Sequence, residues 1–69
     1  MSVKGKFMIF CLEIYKSKKN LTGKQAMQLF KRYEIIDYIL SCYDALHTTG
    51  ENYIIEDIDE FIKVRQFNL

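Results

Sequence analysis

The chain predicts an all-α domain, and three observations carry that expectation. It contains no proline and only three glycines in 69 residues, whereas all-β chains need more turn-formers. Apolar residues recur at three- and four-residue spacing through most of its length. Helix-capping chemistry stands at Thr22 and again at Asp57. The expected architecture is one domain, residues 1–69, of about four helices, with residues 53–55 open to a short extended segment.

The first helix is expected from Lys4 to Lys18. Phe7, Phe10, Cys11 and Ile14 share one face, and Met8 and Tyr15 widen it. Lys16, Lys18 and Lys19 sit where the helix dipole favours positive charge, and Asn20 supplies a stop. Thr22 opens the second helix, with Gln25 three residues on completing a capping box. Leu21 is placed to pack on Ala26 or Met27, and Ala26, Leu29, Phe30 and Tyr33 form the buried face. A bend is expected at Tyr33–Glu34.

The third helix is expected from Ile35 to His47, with Ile36, Ile39, Leu40, Tyr43 and Leu46 apolar and Asp37, Ser41 and Asp44 on the polar side. Residues 48–52 read as a loop in which Gly50 is free to turn left-handed. Tyr53-Ile54-Ile55 suits either an extended piece or helix, and a strand there lacks an obvious partner. Asp57 with Glu60 fits a variant capping box for a last helix, Ile58 to Arg65, burying Ile58, Phe61 and Ile62. Phe67 and Leu69 form a tail, free to fray or to dock.

Composition narrows the class further. A chain this short buries only about 60% of the surface it exposes when unfolded, so partners or cross-links often add stability. An apolar fraction of 49% and ten Tyr or Phe residues supply a core and argue against disorder. Cys11 and Cys42 lie in apolar segments and read as free thiols of a cytosolic protein, although spacing alone does not decide their pairing. The apolar run Phe7–Leu12 is too short to span a bilayer, and no small-residue cleavage site follows it. The expected location is the cytoplasm, away from membranes.

The net charge of +1 hides a division. Residues 1–33 carry eight Lys or Arg against one acid, +7, while residues 34–69 carry two against eight, −6. In one reading the halves face and neutralise each other. In the other, a basic face and an acidic face steer a partner. Glu56, Asp57, Asp59 and Glu60 make the densest acidic patch.

Catalytic groups are sparse. His47 is the only histidine; Asp44 shares its helix face, but Cys42, five residues before it, does not. His47 reads first as a helix C-terminal residue. Zinc spacing, a calcium loop and a glycine-rich phosphate loop are all missing from the sequence. The expectation is therefore a non-enzyme without cofactor or metal. The segment Thr22–His47 can be set on a helix-turn-helix template, but Asp37 and Asp44 on its second helix would repel phosphates. Nucleic-acid binding would rest instead on Lys4, Lys6, Lys16, Lys18, Lys19 and Lys24.

Two blocks carry a resemblance. Tyr43-Asp44-Ala45-Leu46-His47-Thr48 and Tyr53-Ile54-Ile55-Glu56-Asp57-Ile58-Asp59, with the Leu29-Phe30 pair and the aromatic first helix, resemble the small bacterial family called domain of unknown function 3791. The resemblance covers nearly the whole chain. Where its pattern has a glycine between the second and third helices, this chain has Glu34. It implies an accessory gene product encoded beside a larger ADP-ribosyltransferase-like protein, an arrangement that suggests toxin and antitoxin.

Two accounts of the blocks follow. In the structural one, Tyr43, Leu46 and Ile58 pack the third helix on the last, Asp44 and His47 tie down the loop, and Asp57 caps a helix. In the functional one, Asp44, His47, Asp57 and Asp59 gather on a surface for a partner. The expected function is a helical protein-interaction module. Its expected contacts are Asp44, His47, Glu56, Asp57, Asp59 and Glu60, and its expected partner is the transferase-like protein or a second copy of the chain.

Overall fold

The computed structural model describes residues 2–67, and every regular element among them is a helix. In chain order these are α1 (Val3–Lys18), α2 (Gly23–Arg32), α3 (Ile35–Ser41), α4 (Tyr43–Leu46) and α5 (Glu51–Phe67). Helix α1 packs against α2, α3 and α5, so the two longest helices share the core with the shorter pair laid against them. The molecule measures 31 × 24 × 21 Å.

The starts of α1 and α2 follow local chemistry. The Ser2 hydroxyl accepts from the Gly5 amide at 3.0 Å and caps α1. At α2 the capping box is complete: Thr22 Oγ1 accepts from the Gln25 amide at 3.1 Å, and Gln25 Oε1 accepts from the Thr22 amide at 2.9 Å. Helix α1 ends at Asn20 in the left-handed conformation, φ 57°. There the Leu21 amide donates to the Lys16 carbonyl and the Asn20 amide to that of Ser17, a Schellman ending.

The bend between α2 and α3 is sharp despite the absence of glycine. Glu34 takes φ 57°, ψ 35°, a left-handed conformation that costs an ordinary residue about 1–2 kcal/mol. Its neighbours explain why it persists. Tyr33 and Ile35 are both buried, and a helical Glu34 would not let both reach the core.

Several expectations are corrected. The third helix is interrupted at Cys42, where the backbone leaves the helical region (φ −104°, ψ 18°). The break coincides with Tyr43 meeting Phe7 of α1 edge-on at 5.4 Å, so Tyr43 packs toward α1 rather than α5. Residues 53–55 are helical, because α5 begins at Glu51, two turns earlier than the Asp57 cap implied. Asp57 is thus inside a helix and caps nothing, and the loop shrinks to residues 47–50. Gly50 has no positive φ; its carbonyl accepts the Ile54 amide at 3.1 Å, so it serves as a side-chain-free N-cap. Phe67 is the last residue of α5 rather than a tail, and Leu69 lies outside the described residues.

The core consists of Cys11, Leu12 and Tyr15 from α1, Ala26 and Phe30 from α2, Tyr33, Ile35 and Ile39, and Ile54, Ile55, Ile58 and Ile62 from α5. The α1 face differs from expectation: Leu12 is buried while Phe10 remains 42% exposed. Apolar and charged residues are interspersed all the way round α1, so its sequence sets no clear phase, and contact with three other helices sets it instead.

Replacing Glu34 with glycine should relieve the left-handed strain, offset by the greater freedom of the unfolded glycine chain. A net gain of about 0.5–1 kcal/mol is expected, a few degrees in the thermal midpoint for a domain of this size. Calorimetry of Glu34→Gly against Glu34→Ala, which keeps the strain, checks this.

Candidate functional site

The acidic patch of α5 divides into two pairs with different surroundings. Asp57 and Asp59 bracket Ile58, which is fully buried, and so lie at the two edges of the buried face of α5. Tyr38 of α3 donates its hydroxyl to Asp57 Oδ2 at 2.5 Å, and its ring stacks on Phe61 at 4.1 Å. Arg65 lies over Phe61 at 4.7 Å, one turn further along. On the other edge, Tyr15 of α1 donates to Asp59 Oδ1 at 2.7 Å while Lys19 pairs with Oδ2 at 2.7 Å. Gln66 near the end of α5 donates to the Tyr33 hydroxyl at 3.3 Å. Three tyrosines from three parts of the chain therefore hold α5.

Both tyrosines that donate to aspartate are shifted. Burial, then the hydrogen bond and charge of the adjoining carboxylate, raise the Tyr15 and Tyr38 hydroxyls well above their usual value of 10. Burial alone pushes the Cys11 thiol up to about 11, so it is protonated and unreactive at neutral pH. Cys11 and Cys42 are both free thiols.

Glu56 and Glu60 behave differently. Both are exposed, and neither joins an ion pair among the described residues. They lie one turn apart, where like charges repel by a few tenths of a kcal/mol. With Tyr53, Val64 and Phe67, exposed by 57%, 49% and 83%, they form a single stripe at spacings of three, four, four and three along the outer face of α5. Sequence reading missed the apolar members of this stripe. The spacing that reveals them appears only once residues 53–55 are helical.

The other anticipated residues are scattered. Asp44 is exposed and makes no side-chain hydrogen bond among the described residues. His47 stacks on Tyr43 at 4.4 Å and donates from Nδ1 to the Tyr43 carbonyl at 2.8 Å, the helix-end role its position suggested. Thr48 and Thr49 donate to the Ala45 and Leu46 carbonyls at 3.3 and 2.7 Å and close the end of α4. No hydrogen bond or ion pair among the described residues joins Asp44 or His47 to Asp57 or Asp59, whose carboxylates are taken by Tyr38 and Tyr15.

Among the lysines, Lys16 pairs with Glu13 at 3.0 Å, Lys19 with Asp59, and Lys4 lies over the Tyr43 ring at 5.9 Å. Lys6, Lys18 and Lys24 are exposed and join no ion pair among the described residues. At 1.5 Å per helical residue, roughly 20 Å separates Lys4 from Lys18, so the basic residues form two groups rather than one patch.

One shallow groove of about 560 Å³ runs between α1 and the start of α5. Phe10, Ile14 and Ile55 supply its apolar lining; Glu13, Ser17, Lys18, Glu51 and Asn52 supply the polar one. No cluster of three or more His, Cys, Asp or Glu suited to a metal ion occurs among the described residues. No described helix is long and apolar enough to cross a membrane.

A small all-α domain whose last helix is held by tyrosine–aspartate bonds is the class these features define. The chain belongs to the family described as "Protein of unknown function (DUF3791)", whose model matches residues 6–65. No curated protein and no solved structure matches it. The Asp57-Ile58-Asp59 block that carried the resemblance is thus the block that α1 and α3 grip.

Tyr15→Phe and Tyr38→Phe should each lower stability by about 1.5–3 kcal/mol, the range for a hydrogen bond to a charged group. Urea unfolding measures it, with little change in either variant counting against the clasp. The raised tyrosine values also set a pH dependence. Above pH 10 the unfolded chain releases hydroxyl protons that the folded chain retains, so the contribution of these two tyrosines is intact below pH 10 and is lost as pH rises beyond it. The Tyr15→Phe/Tyr38→Phe double variant should show a smaller alkaline fall than the parent; Cys11, common to both, cancels.

Proposed function

We propose that this domain is a protein-interaction module whose contact surface is the outer stripe of α5. Its partner would present basic residues to Glu56 and Glu60 and apolar surface to Tyr53, Val64 and Phe67. The observation that carries the reading is that this stripe is unused by the fold. The like-charged pair repels and the exposed apolar residues add nothing to the stability of the isolated domain, whereas a basic partner would neutralise the one and cover the others.

The resemblance suggests the process: an accessory or antitoxin-like subunit, acting in the cytoplasm on an ADP-ribosyltransferase-like protein encoded beside it. In this reading the domain has no catalysis of its own. It acts by occupying a surface, and binding in turn stabilises a small core by mass action.

Nucleic-acid binding is the second reading, and the exposed, unpaired Lys6, Lys18 and Lys24 favour it. Lys6 and Lys18 stand about 18 Å apart along α1, a separation that argues for weak, sequence-independent phosphate contacts at most.

Calorimetric titration of the neighbouring ADP-ribosyltransferase-like protein tests the first reading. Glu56→Lys/Glu60→Lys is expected to weaken the complex at least tenfold, about 1.4 kcal/mol, while circular dichroism stays unchanged. Unaltered affinity in that variant, or no complex with the parent, would overturn it. Salt-dependent retention on DNA, lost when Lys6, Lys18 and Lys24 are reversed, would favour the second.

A further inference from the structure

We infer that the groove between α1 and α5 is a two-fold interface and that its occupant is a second copy of this chain. The α5 residues that line the groove, Glu51, Asn52 and Ile55, are not members of the outer stripe, so the inference stands independently of the function proposed above.

The lining is the first observation. Phe10 is 42% exposed at the groove, beside Ile14 and Ile55. An aromatic ring half out of water next to an apolar depression is the usual anchor of a protein interface. Two such rings, one from each copy, would fill the two depressions reciprocally.

The second observation is charge. Lys18 on α1 and Glu51 on α5 stand on opposite walls and form no ion pair with each other. In a two-fold interface, if residue i meets j of the partner, then j meets i. Lys18 of each copy would then meet Glu51 of the other, giving two ion pairs that a single chain does not make.

The whole molecule favours the same arrangement. Its halves carry +7 and −6, yet Lys19–Asp59 is the single ion pair joining them among the described residues. Charged groups without an internal ion-pair partner among the described residues, Lys18 and Glu51 among them, are available to a second copy. The net charge of +1 leaves little repulsion between copies.

A standard interface buries about 800 Å² per partner. The accessible surface is 4777 Å², so each copy would give up roughly one-sixth. That exceeds the apolar floor alone and requires the contact to extend to the walls that carry Lys18 and Glu51.

Sedimentation equilibrium from about 1 μM to 1 mM tests the proposal. A reversible dimer that weakens with added salt is expected. Phe10→Asp should raise its dissociation constant about thirtyfold or more, the loss typical of a central aromatic anchor. Phe10→Ser serves as a milder check should the aspartate variant lose its circular dichroism signal. Lys18→Glu and Glu51→Lys should each weaken the dimer severalfold, and the double exchange should restore it. A monomer throughout, a dimer indifferent to Phe10, or no rescue by the double exchange would overturn the interface. Val64→Ser/Phe67→Ser, which leaves the charge unchanged and lies more than two turns beyond Ile55, should leave the dimer intact while weakening the α5-stripe complex, which separates this outcome from failure of that stripe.

Discussion

Asp57 and Asp59 flank a fully buried isoleucine, and each gives its carboxylate to a tyrosine hydroxyl arriving from another helix. Tyrosine suits this because its ring joins the core while its hydroxyl reaches the polar margin. Two bonds on opposite edges of one helix fix its rotation about its own axis. A slip of one residue turns a helix by about 100°, which would drive an aspartate toward the core and strand both hydroxyls. The orientation of α5 therefore depends on these bonds, and with it the identity of its outer face.

What faces outward follows. Once Ile54, Ile55, Ile58 and Ile62 point inward, Tyr53, Glu56, Glu60, Val64 and Phe67 cannot. The two inner acids support the fold and the two outer acids do not, although all four lie within five residues. The same division runs through the lysines, where Lys19 is drawn to Asp59 while Lys18, its neighbour, remains at the groove. Charge that a sequence shows as one block is divided by helix geometry between structure and surface. The opposed halves of this chain meet where α1 packs on α5, and Lys19–Asp59 is the ion pair that joins them among the described residues.

Legibility was uneven, for reasons that differ by position. The Thr22–Gln25 box, the stop at Asn20 and the bend at Glu34 were readable because caps and left-handed residues act within a few residues of themselves. The face of α1 was not, since Phe7, Met8, Ile9, Phe10, Cys11 and Leu12 are consecutive and allow almost any phase. The break at Cys42 was hidden because residues 35–47 keep a helical period through it. The start of α5 was misplaced because Asp57 and Glu60 imitate a capping box, whereas Gly50 caps with its backbone alone.

By itself the sequence determined that this chain is helical, where its first two helices begin, where the chain bends, and that its charge is split near Tyr33. These are consequences of local propensity, capping and composition, which need no knowledge of distant contacts. Only the tertiary structure decided which of four adjacent acids are bound and which are free, which side of α1 is buried, and that a groove lies between α1 and α5. Each of those depends on contacts between residues dozens of positions apart, such as Tyr15 with Asp59, and helical periodicity carries no record of which distant side chain will arrive.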